Sequence, residues 1–310
     1  MLTPHDIDKL LAPLSRYARV ALAVSGGGDS MALMLLARDW ARRTADAPEL
    51  AVLTVDHRLR PESRQEAEWA AEQASALGLQ HHILTWEDAQ PGASQAAARD
   101  ARYALMADFA RAHRIGAIVA AHTADDVAET FLMRLARGSG VDGLTAMAAE
   151  TTWEGGPLMR ALVGLSREQL RAELDARGAT WLEDASNAEE RFERVRVRRA
   201  LDTLAGLGIT RSRIVESAER LRRARNAIDA GAADFICVHA AVSPAGYVSL
   251  AAGALRELPE EVAIHALKRL LRAIGGQRRA PRRRKLEMLA AQLRAELEAA
   301  TTLGGCVIAP

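Results

Sequence analysis

Short apolar runs alternate with longer helical patterns through the first two hundred residues, and this alternation is what most constrains the fold. Four apolar runs predict strands, at 20–24, 50–55, 81–85 and 115–121. Three helical patterns fill the intervals, near 29–43, 62–77 and 94–113. Each interval is long enough for a right-handed crossover between parallel strands. The pattern therefore predicts an α/β fold with a parallel, doubly wound sheet that is covered by helices on both faces.

The strand rhythm stops beyond about residue 165. Ser166 and Gly178 are the start and stop signals of a predicted helix. Further helical patterns cover 211–240, 260–274 and 282–299, and short strand candidates lie at 247–250 and 302–309. We place a boundary in the loop 204–210, which predicts a catalytic domain at 1–207 and a smaller, mainly helical domain at 208–310. The chain ends on a strand-like stretch without an obvious partner, so we expect the second domain to be truncated.

A glycine-rich turn joins the first strand to the first helix. It reads Ser25, Gly26, Gly27, Gly28, Asp29, Ser30. Glycines let a ligand approach the main chain closely, and the unpaired amides of a helix start attract anions. The lysine of the familiar phosphate loop is missing. An aspartate here repels phosphate unless a cation lies between them, so the turn predicts a magnesium-bound nucleotide. The alternative is a tight turn with an Asp or Ser cap.

A second cluster of polar residues begins the helix that follows the fourth strand. Asp126 and Glu129 share one face of that helix, opposite its apolar side, and Asp125 precedes them. Acids in a first helical turn also favour the helix dipole, and Thr123 with Asp126 resembles a capping box, so this alternative stays open. The segments 25–30, 55–63 and 120–126 all leave the carboxyl ends of strands, where open parallel sheets bind ligands. We expect them to meet in one crevice.

Composition excludes several classes of protein. No run of eighteen apolar residues and no secretory signal is present, which predicts a cytoplasmic protein without a membrane partner. The two cysteines, Cys237 and Cys306, offer neither a disulfide framework nor a metal site. The net charge is only +1, but nine basic residues and no acid lie between Lys268 and Lys285, and a second basic run covers 191–199. Such clusters indicate a polyanion, or else a solvated helix face in an arginine-rich protein.

The glycine-rich turn resembles the pyrophosphate loop (PP loop) of the N-type ATP pyrophosphatases. Within that superfamily, four further segments resemble the tRNA(Ile)-lysidine synthetase family, in the order of that family: "VDHRLRPES" (55–63), "AARDARY" (97–103), "AHTADDVAETFLMRLARGSGVDGL" (121–144) and "WLEDASN" (181–187). One position departs from the pattern, because Val195 stands where the family usually has asparagine.

The resemblance implies a ligase that forms a carbon–nitrogen bond on the wobble cytidine of an isoleucine tRNA with a CAU anticodon. The cytidine C2 oxygen attacks the α-phosphate of ATP and releases pyrophosphate, and the ε-amine of free lysine then displaces AMP. In this scheme residues 25–30 hold the departing phosphates, and Arg102 stabilises charge on the α-phosphate. Asp29 and Asp126 hold Mg²⁺, and Asp126 and Glu129 orient the lysine. Which carboxylate accepts the proton of the amine stays open.

Other residues receive weaker assignments. His57, His122 and Asp125 are candidate contacts of the site, and Asp184 with Asn187 predicts a local turn. The candidate tRNA-binding residues are Arg194, Arg198, Arg282, Arg283 and Arg284. The oligomeric state stays open, with a homodimer as one alternative. Two functional alternatives remain, another PP-loop tRNA-modifying enzyme and a nucleotide-binding regulator without catalysis. Both cysteines lie beyond residue 230, which disfavours sulfur transfer, and an amidotransferase domain is missing.

Overall fold

A computed structural model describes residues 1–90, 92–145, 147–183, 193–277, 280–295 and 297–310. It divides into two compact units, Met1–Ala218 and Glu219–Pro310. Parts of the segments introduced above lie outside the described residues, namely 184–187, with Asp184 and Asn187, 191–192, 278–279 and 296. No helix in the described ranges is both long enough and apolar enough to span a membrane.

The first unit alternates strands and helices. Its early elements are α1 (Pro4–Leu11), a 3-10 turn (Ala12–Arg16), β1 (Arg19–Ala23), α2 (Gly28–Arg43), β2 (Glu49–Asp56), α3 (Ser63–Ala76), β3 (Gln80–Thr85) and α4 (Gln95–Ala112). Then follow β4 (Ala117–Ala120), α5 (Ala124–Leu135), α6 (Val141–Leu144), β5 (Glu150–Trp153), β6 (Gly156–Met159), α7 (Arg167–Ala176) and α8 (Glu193–Ala205). All four predicted strands and all three predicted crossover helices are present.

The strands form one six-stranded sheet in the order β3-β2-β1-β4-β6-β5. Every neighbouring pair is parallel except β5 with β6. Alternate residues of β1 enter different hydrophobic cores: Val20 and Leu22 pack with α1, α2 and α7, whereas Ala21 packs with residues of α4. Burial of both faces confirms the predicted doubly wound sheet. Strand order reverses at β1, so the carboxyl ends of β1 and β4 border the crevice where such sheets bind ligands.

The hairpin of β5 and β6 was not predicted. Its register pairs Thr151 with Leu158 and Trp153 with Gly156. The strand β5 is only half-buried and β6 contains Gly156 and Pro157, residues that are rare in strands, so neither segment has the apolar pattern of its parallel neighbours. The hairpin extends the sheet beyond β4 with an antiparallel edge.

The second unit is mainly helical, as expected. Its elements are the end of α9 (Arg211–His239), β7 (Ala240–Val242), β8 (Val248–Leu250), α10 (Ala252–Glu257), α11 (Glu260–Gly275), α12 (Arg283–Ala295), β9 (Thr301–Leu303) and β10 (Cys306–Ile308). Phe235, Leu255, Leu267 and Leu286 contribute to one buried cluster. The helix predicted at 282–299 is shorter than expected, because α12 ends at Ala295.

The last segment differs from its prediction. The stretch 302–309 is not one strand that lacks a partner, because β9 and β10 pair with each other. The glycines Gly304 and Gly305, with φ of 62° and 82°, form the turn between them. The strand-like stretch thus has a partner within the segment itself, and the truncation of the second domain stays a prediction.

The division between the units also differs from the predicted boundary. The loop 204–210 lies between α8 and α9, whereas the division falls inside α9. The end of the alternating strand pattern shows where the sheet ends. It does not reveal that the first turns of α9 still pack on the first unit. Ile214, for example, packs with Ala128 and Leu201. The roles assigned to the two domains stay predictions.

Candidate nucleotide and cation site

The PP loop connects β1 to α2 and is ordered by its own two serines. The Ser25 amide donates to Ser30 Oγ at 3.2 Å, and the Ser30 hydroxyl donates to the Gly27 carbonyl at 2.8 Å. Gly26 has φ 85°, which favours glycine. Gly27 is the N-cap of α2, and no side chain in the described part of the chain caps its first amides. The alternative of an Asp or Ser cap is therefore not observed, and the helix start can receive an anion.

The loop is also held by a segment far along the chain. The Leu182 amide donates to the Gly26 carbonyl at 3.0 Å, and Leu182 forms a β-bridge with Gly27. A Cβ on Gly26 would lie only 2.9 Å from Leu182 Cδ1. Trp181 lies beside Gly28, 3.5 Å from where its Cβ would be. The glycines thus allow close packing by the protein itself as well as close approach by a ligand.

Helix α5 places its acids in the crevice. Thr123 is its N-cap and forms a capping box with Asp126, whose Oδ2 accepts from the Thr123 amide at 2.9 Å. Asp126 and Glu129 are buried. Asp126 Oδ1 is not used by the cap and turns toward the crevice, where it meets an arginine. The two interpretations offered for this helix are therefore compatible, because one oxygen caps the helix and the other is available for chemistry.

Arg167 joins the PP loop to α5, and sequence reasoning missed it. Its guanidinium contacts Asp126 Oδ1 at 2.6 Å, Glu129 Oε1 at 2.6 Å and Asp29 Oδ2 at 3.3 Å. Arg167 is the first residue of α7, a helix that was predicted from Ser166 and Gly178. Because Arg167 meets these carboxylates only through the tertiary fold, no local pattern distinguished it from other helix-start arginines.

Burial and neighbouring charges set the ionisation of this cluster. Burial raises the pKa of Asp29, and the charge of Asp126 adds to that rise against the opposing charge of Arg167. Burial alone would also raise the pKa of Asp126, but Arg167 and the Thr123 amide outweigh it and lower that pKa. Burial likewise opposes the charge of Arg167, yet Asp126 and Glu129 hold its pKa above the usual value. Asp126 and Arg167 are therefore an ionised pair at neutral pH.

Further arginines contact the acids of α5. Arg198 Nε lies 2.7 Å from Glu129 Oε1, and Arg194 Nε lies 3.9 Å from Glu129 Oε2. Arg211 Nε lies 3.1 Å from Asp125 Oδ1. The structure thus places Arg194 and Arg198, which we assigned to tRNA, beside the predicted catalytic acids. Val195, the position that departs from the family pattern, is buried in α8. The tRNA contacts of both arginines stay predictions.

Basic groups lie around Arg102 of α4. Among the described residues no carboxylate lies within ion-pair distance of Arg102, and its guanidinium carbon is 5.7 Å from the centroid of the Tyr103 ring. Burial lowers the pKa of Arg102, and the charges of Arg99 and Arg194 lower it further against the opposing effect of Tyr103. Arg160 is 8% exposed, and its Nε has no hydrogen-bond partner in the described ranges. Arg160 Nη1 nevertheless donates to the Ala148 carbonyl at 2.9 Å and to Thr151 Oγ1 at 3.1 Å. A half-buried cation without a carboxylate partner, as Arg102 is, favours an anionic ligand.

His57 and His122 follow the carboxyl ends of β2 and β4, as expected. Burial lowers the pKa of His122 to about 4, although the charge of Asp126 opposes the shift. Burial and the charge of Arg102 lower the pKa of His57. The Nδ1 atom of each ring is buried without a hydrogen-bond partner among the described residues. Both rings are therefore neutral at pH 7 and able to contact a polar ligand near Arg102.

The carboxylates fit only one type of magnesium site. Within the described ranges, no three His, Cys, Asp or Glu side chains are arranged to hold a metal ion. Mg²⁺ in nucleotide sites is commonly bound by one or two carboxylates, with phosphate oxygens and water completing its coordination. Asp29 and Asp126 fit this type, since both contact Arg167 and so lie within reach of a common cation.

The three arginines Arg282, Arg283 and Arg284 of the basic run between Lys268 and Lys285 differ in pairing and exposure. Arg283 donates to both oxygens of Glu261 and to Glu287 Oε1, the last at 2.7 Å. These hydrogen bonds raise the pKa of Arg283. Arg282 and Arg284 are exposed. Of the three arginines of this cluster that were assigned to tRNA, Arg283 is paired with carboxylates of its own unit, which leaves Arg282 and Arg284 as the candidates there.

Comparison with known proteins gives consistent results. A family described as PP-loop domain matches residues 3–204. The chain is 43% identical to "tRNA(Ile)-lysidine synthase" of Ruegeria pomeroyi over 94% of its own length and 68% of that protein. It is 43% identical to the protein of the same name from Methylobacterium sp. strain 4-46, over 99% of its own length and 92% of that protein.

Among solved structures, the chain is similar to the "U34-tRNA thiolase NcsA from Methanococcus maripaludis with its [4Fe-4S] cluster". The TM-score is 0.61 and the identity 16%, over 70% of this chain and 76% of that one. This likeness shows the fold alone, and the fold is that of a PP-loop enzyme. Since the relatives from Ruegeria and Methylobacterium match along nearly the whole chain, the protein belongs to the PP-loop superfamily and, within it, to the tRNA(Ile)-lysidine synthase family.

Proposed function

We propose that this protein is an ATP-dependent ligase that joins free lysine to C2 of the wobble cytidine in an isoleucine tRNA with a CAU anticodon. The observation that carries the proposal is the contact of Arg167 with Asp29, Asp126 and Glu129. Through it, the phosphate-binding turn adjoins a cluster of carboxylates that suits a cationic substrate. A site for ATP and a site for an amine therefore share one crevice.

In the first step the cytidine C2 oxygen attacks the α-phosphorus of ATP, and pyrophosphate leaves. The free amides at the start of α2 and the backbone of the PP loop receive the departing phosphates. Arg102, which lacks a carboxylate partner among the described residues, stabilises the charge on the α-phosphate. Asp29 and Asp126 would hold Mg²⁺, which neutralises phosphate charge when bound.

In the second step the ε-amine of lysine attacks C2 and AMP leaves. Asp126 and Glu129 bind the ammonium group, which must lose a proton before it attacks. Both oxygens of Asp126 accept hydrogen bonds, and its pKa is lowered, so it is a poor base. Glu129 Oε2 is buried and accepts no hydrogen bond within the described part of the chain. Glu129 Oε2 is therefore the oxygen that can contact the ammonium group, while Arg167 and Arg198 hold Oε1, and the proton acceptor stays unassigned.

Sulfur transfer is the alternative that the fold raises, because the similar NcsA structure is of a thiolase. The only two cysteines of the chain, Cys237 and Cys306, both belong to the second unit, and none lies in the unit that contains the PP loop. A regulator without catalysis would leave the unpaired Arg102 without a role. Amine transfer agrees best with the acidic cluster. The cytoplasmic location and the homodimer stay predictions.

Incubation with ATP, lysine and an unmodified isoleucine tRNA transcript tests the function. We expect pyrophosphate and AMP to form in equal amounts, and mass spectrometry to find lysine attached to the wobble cytidine. A transcript with another base at that position is the control, and it should release no pyrophosphate. Equal turnover with ammonia in place of lysine, or a product that contains sulfur but no lysine, would exclude the proposal.

The exposed arginines at the start of α12 are expected to bind tRNA phosphates. The double change Arg282→Ala and Arg284→Ala should weaken tRNA binding and reduce the slope of log K against log salt by about 0.7–0.9 for each phosphate that the variant no longer neutralises. Arg283→Ala is the matched control. Because Arg283 is held by Glu261 and Glu287, it should lower the melting temperature slightly and leave the slope unchanged. Binding titrations across salt concentrations check this, and identical slopes for parent and double variant would contradict it.

A further inference from the structure

We propose that Arg167 is a resident counter-cation, which an incoming cation must displace from Asp126 and Asp29 before the site can work. The cation is either Mg²⁺ or the ammonium group of the substrate, and that choice rests on the proposed function. The displacement itself rests on the contacts of Arg167. Arg167 is thus a positioning residue that controls access to the carboxylates.

Both carboxylate oxygens of Asp126 already accept hydrogen bonds from the protein. Asp126 Oδ2 accepts from the Thr123 amide and hydroxyl, and Oδ1 lies 2.6 Å from Arg167 Nη2. A further cation at Asp126 would therefore either replace one of these partners or share Oδ1 with Arg167, directly beside the guanidinium. The hydrogen bonds between Thr123 and Asp126 Oδ2 stabilise the start of α5, so we expect them to remain. Of the two partners, Arg167 is therefore the one that an incoming cation would replace.

Glu129 provides a second sign that the site accepts a ligand. Its side chain is 1% exposed and its Oε1 accepts from both Arg167 and Arg198. Its Oε2 is buried without a hydrogen-bond partner among the described residues. A buried carboxylate oxygen without a donor is costly, so an incoming ammonium group would satisfy it.

Electrostatics oppose the simultaneous presence of two cations. Arg167 and a second cation, both against Asp126 in a buried site, would repel each other strongly. The contact with Asp29 at 3.3 Å is longer than the two at 2.6 Å, so this end of the guanidinium is the most weakly held. Phosphates bound at the PP loop lie beside Asp29 and would attract the guanidinium away from the acids. Nucleotide binding and cation entry are coupled in this way.

The surroundings of α7 allow the side chain to leave. A pocket of about 480 Å³ adjoins Arg167 and is lined also by Glu168, Asp175 and Arg198. Its two carboxylates offer new partners to the guanidinium. The helix itself is fixed, because Ser166 caps it and Glu173 accepts from the Leu2 amide at 2.8 Å. The movement therefore involves only the long side chain.

Cation binding by the nucleotide-free protein tests the inference. We expect Arg167→Gln to bind Mn²⁺, measured by electron paramagnetic resonance, or L-lysine, measured by calorimetry, at least about fivefold more tightly than the parent. Arg167→Lys should have affinities between those of the parent and Arg167→Gln, because one ammonium group cannot contact all three carboxylates at once. Arg42→Gln, an exposed change in the last turn of α2, is the matched control and should leave both affinities unchanged.

The outcomes separate this inference from the proposed function. Tighter Mn²⁺ binding alone identifies the metal as the displacing ion, and tighter lysine binding alone identifies the amine. Unchanged or weaker binding of both overturns the inference. If circular dichroism shows that Arg167→Gln does not fold, the Arg167→Lys variant is used instead. Its affinities for Mn²⁺ and L-lysine are then compared with those of the parent. These binding assays contain neither ATP nor tRNA. Their result therefore does not depend on whether the protein forms the lysine-modified base in the assay of the proposed function.

Discussion

Replacing Asp126 with asparagine is expected to lower tRNA-dependent pyrophosphate release by about 10²–10³-fold, the loss typical of one electrostatic contact to a reacting phosphate. The amide oxygen of asparagine can still accept from the Thr123 amide, so the cap of α5 remains. What disappears is the charge on Oδ1, which faces Arg167 and, in our proposal, Mg²⁺ or the substrate amine. Measurement of kcat/KM for pyrophosphate release, together with thermal unfolding, separates the loss of charge from the loss of fold.

The chain contains a matched control for this change. Asp6 caps α1 in the same way, with Thr3 as N-cap and the same spacing. Asp6→Asn alters an equivalent capping box outside the crevice, and it should leave pyrophosphate release unchanged. Asp29→Asn should follow Asp126→Asn, because both carboxylates contact Arg167. An Asp126→Asn protein with activity within threefold of the Asp6→Asn protein would exclude Asp126 from the chemistry.

Arg102→Ala is expected to reduce kcat by about 10²–10³-fold with little change in KM for lysine. Arg102 is a half-buried cation, and no carboxylate among the described residues neutralises it, so its charge is available to the α-phosphate. Arg102→Lys should restore part of the activity, since lysine supplies the charge but not the planar set of donors. Steady-state kinetics with saturating tRNA measure both quantities.

Arg111→Ala provides the comparison on the same helix. Arg111 is exposed and pairs with Asp108, so its removal should change neither kcat nor KM. A rise in the KM for ATP without a fall in kcat would show that Arg102 binds the ground state only. That result would remove Arg102 from the first chemical step while leaving the PP loop assignment intact.

The parts of the fold that could be predicted are those in which local pattern and tertiary structure agree. The middle residues of β1 and β2 are mainly apolar because helices cover both faces of a parallel sheet, and the crossover helices carry amphipathic patterns. The β5–β6 hairpin was missed because an exposed antiparallel edge needs no such apolar run. The pairing of β9 with β10 was missed because two three-residue strands and a Gly-Gly turn resemble one longer strand.

The site was predictable in its motifs but not in its pairings. Asp29, Asp126 and Arg102 were singled out because each lies at a strand end or in a segment that resembles the family. Arg167 was not, since its partners lie on α2 and α5, and only the folded chain brings it to them. For the same reason the sequence groups Arg283 with its exposed neighbours, whereas in the fold Glu261 lies beside it. Charge patterns locate basic segments, but they do not reveal which side chains are already paired.

The bond between Leu182 and the PP loop has a consequence for folding. The Gly26 carbonyl accepts a hydrogen bond from the Leu182 amide, and Gly27 forms a β-bridge with the same residue, although most of the first unit separates these positions in the sequence. Contacts of such long sequence separation carry a high loop-closure entropy and form late. During synthesis on the ribosome, the PP loop can therefore form its backbone hydrogen bond to Leu182 only after that residue has left the ribosome. A nascent chain that ends before Leu182 lacks these contacts of the PP loop, so we expect it to bind ATP more weakly than the whole first unit does.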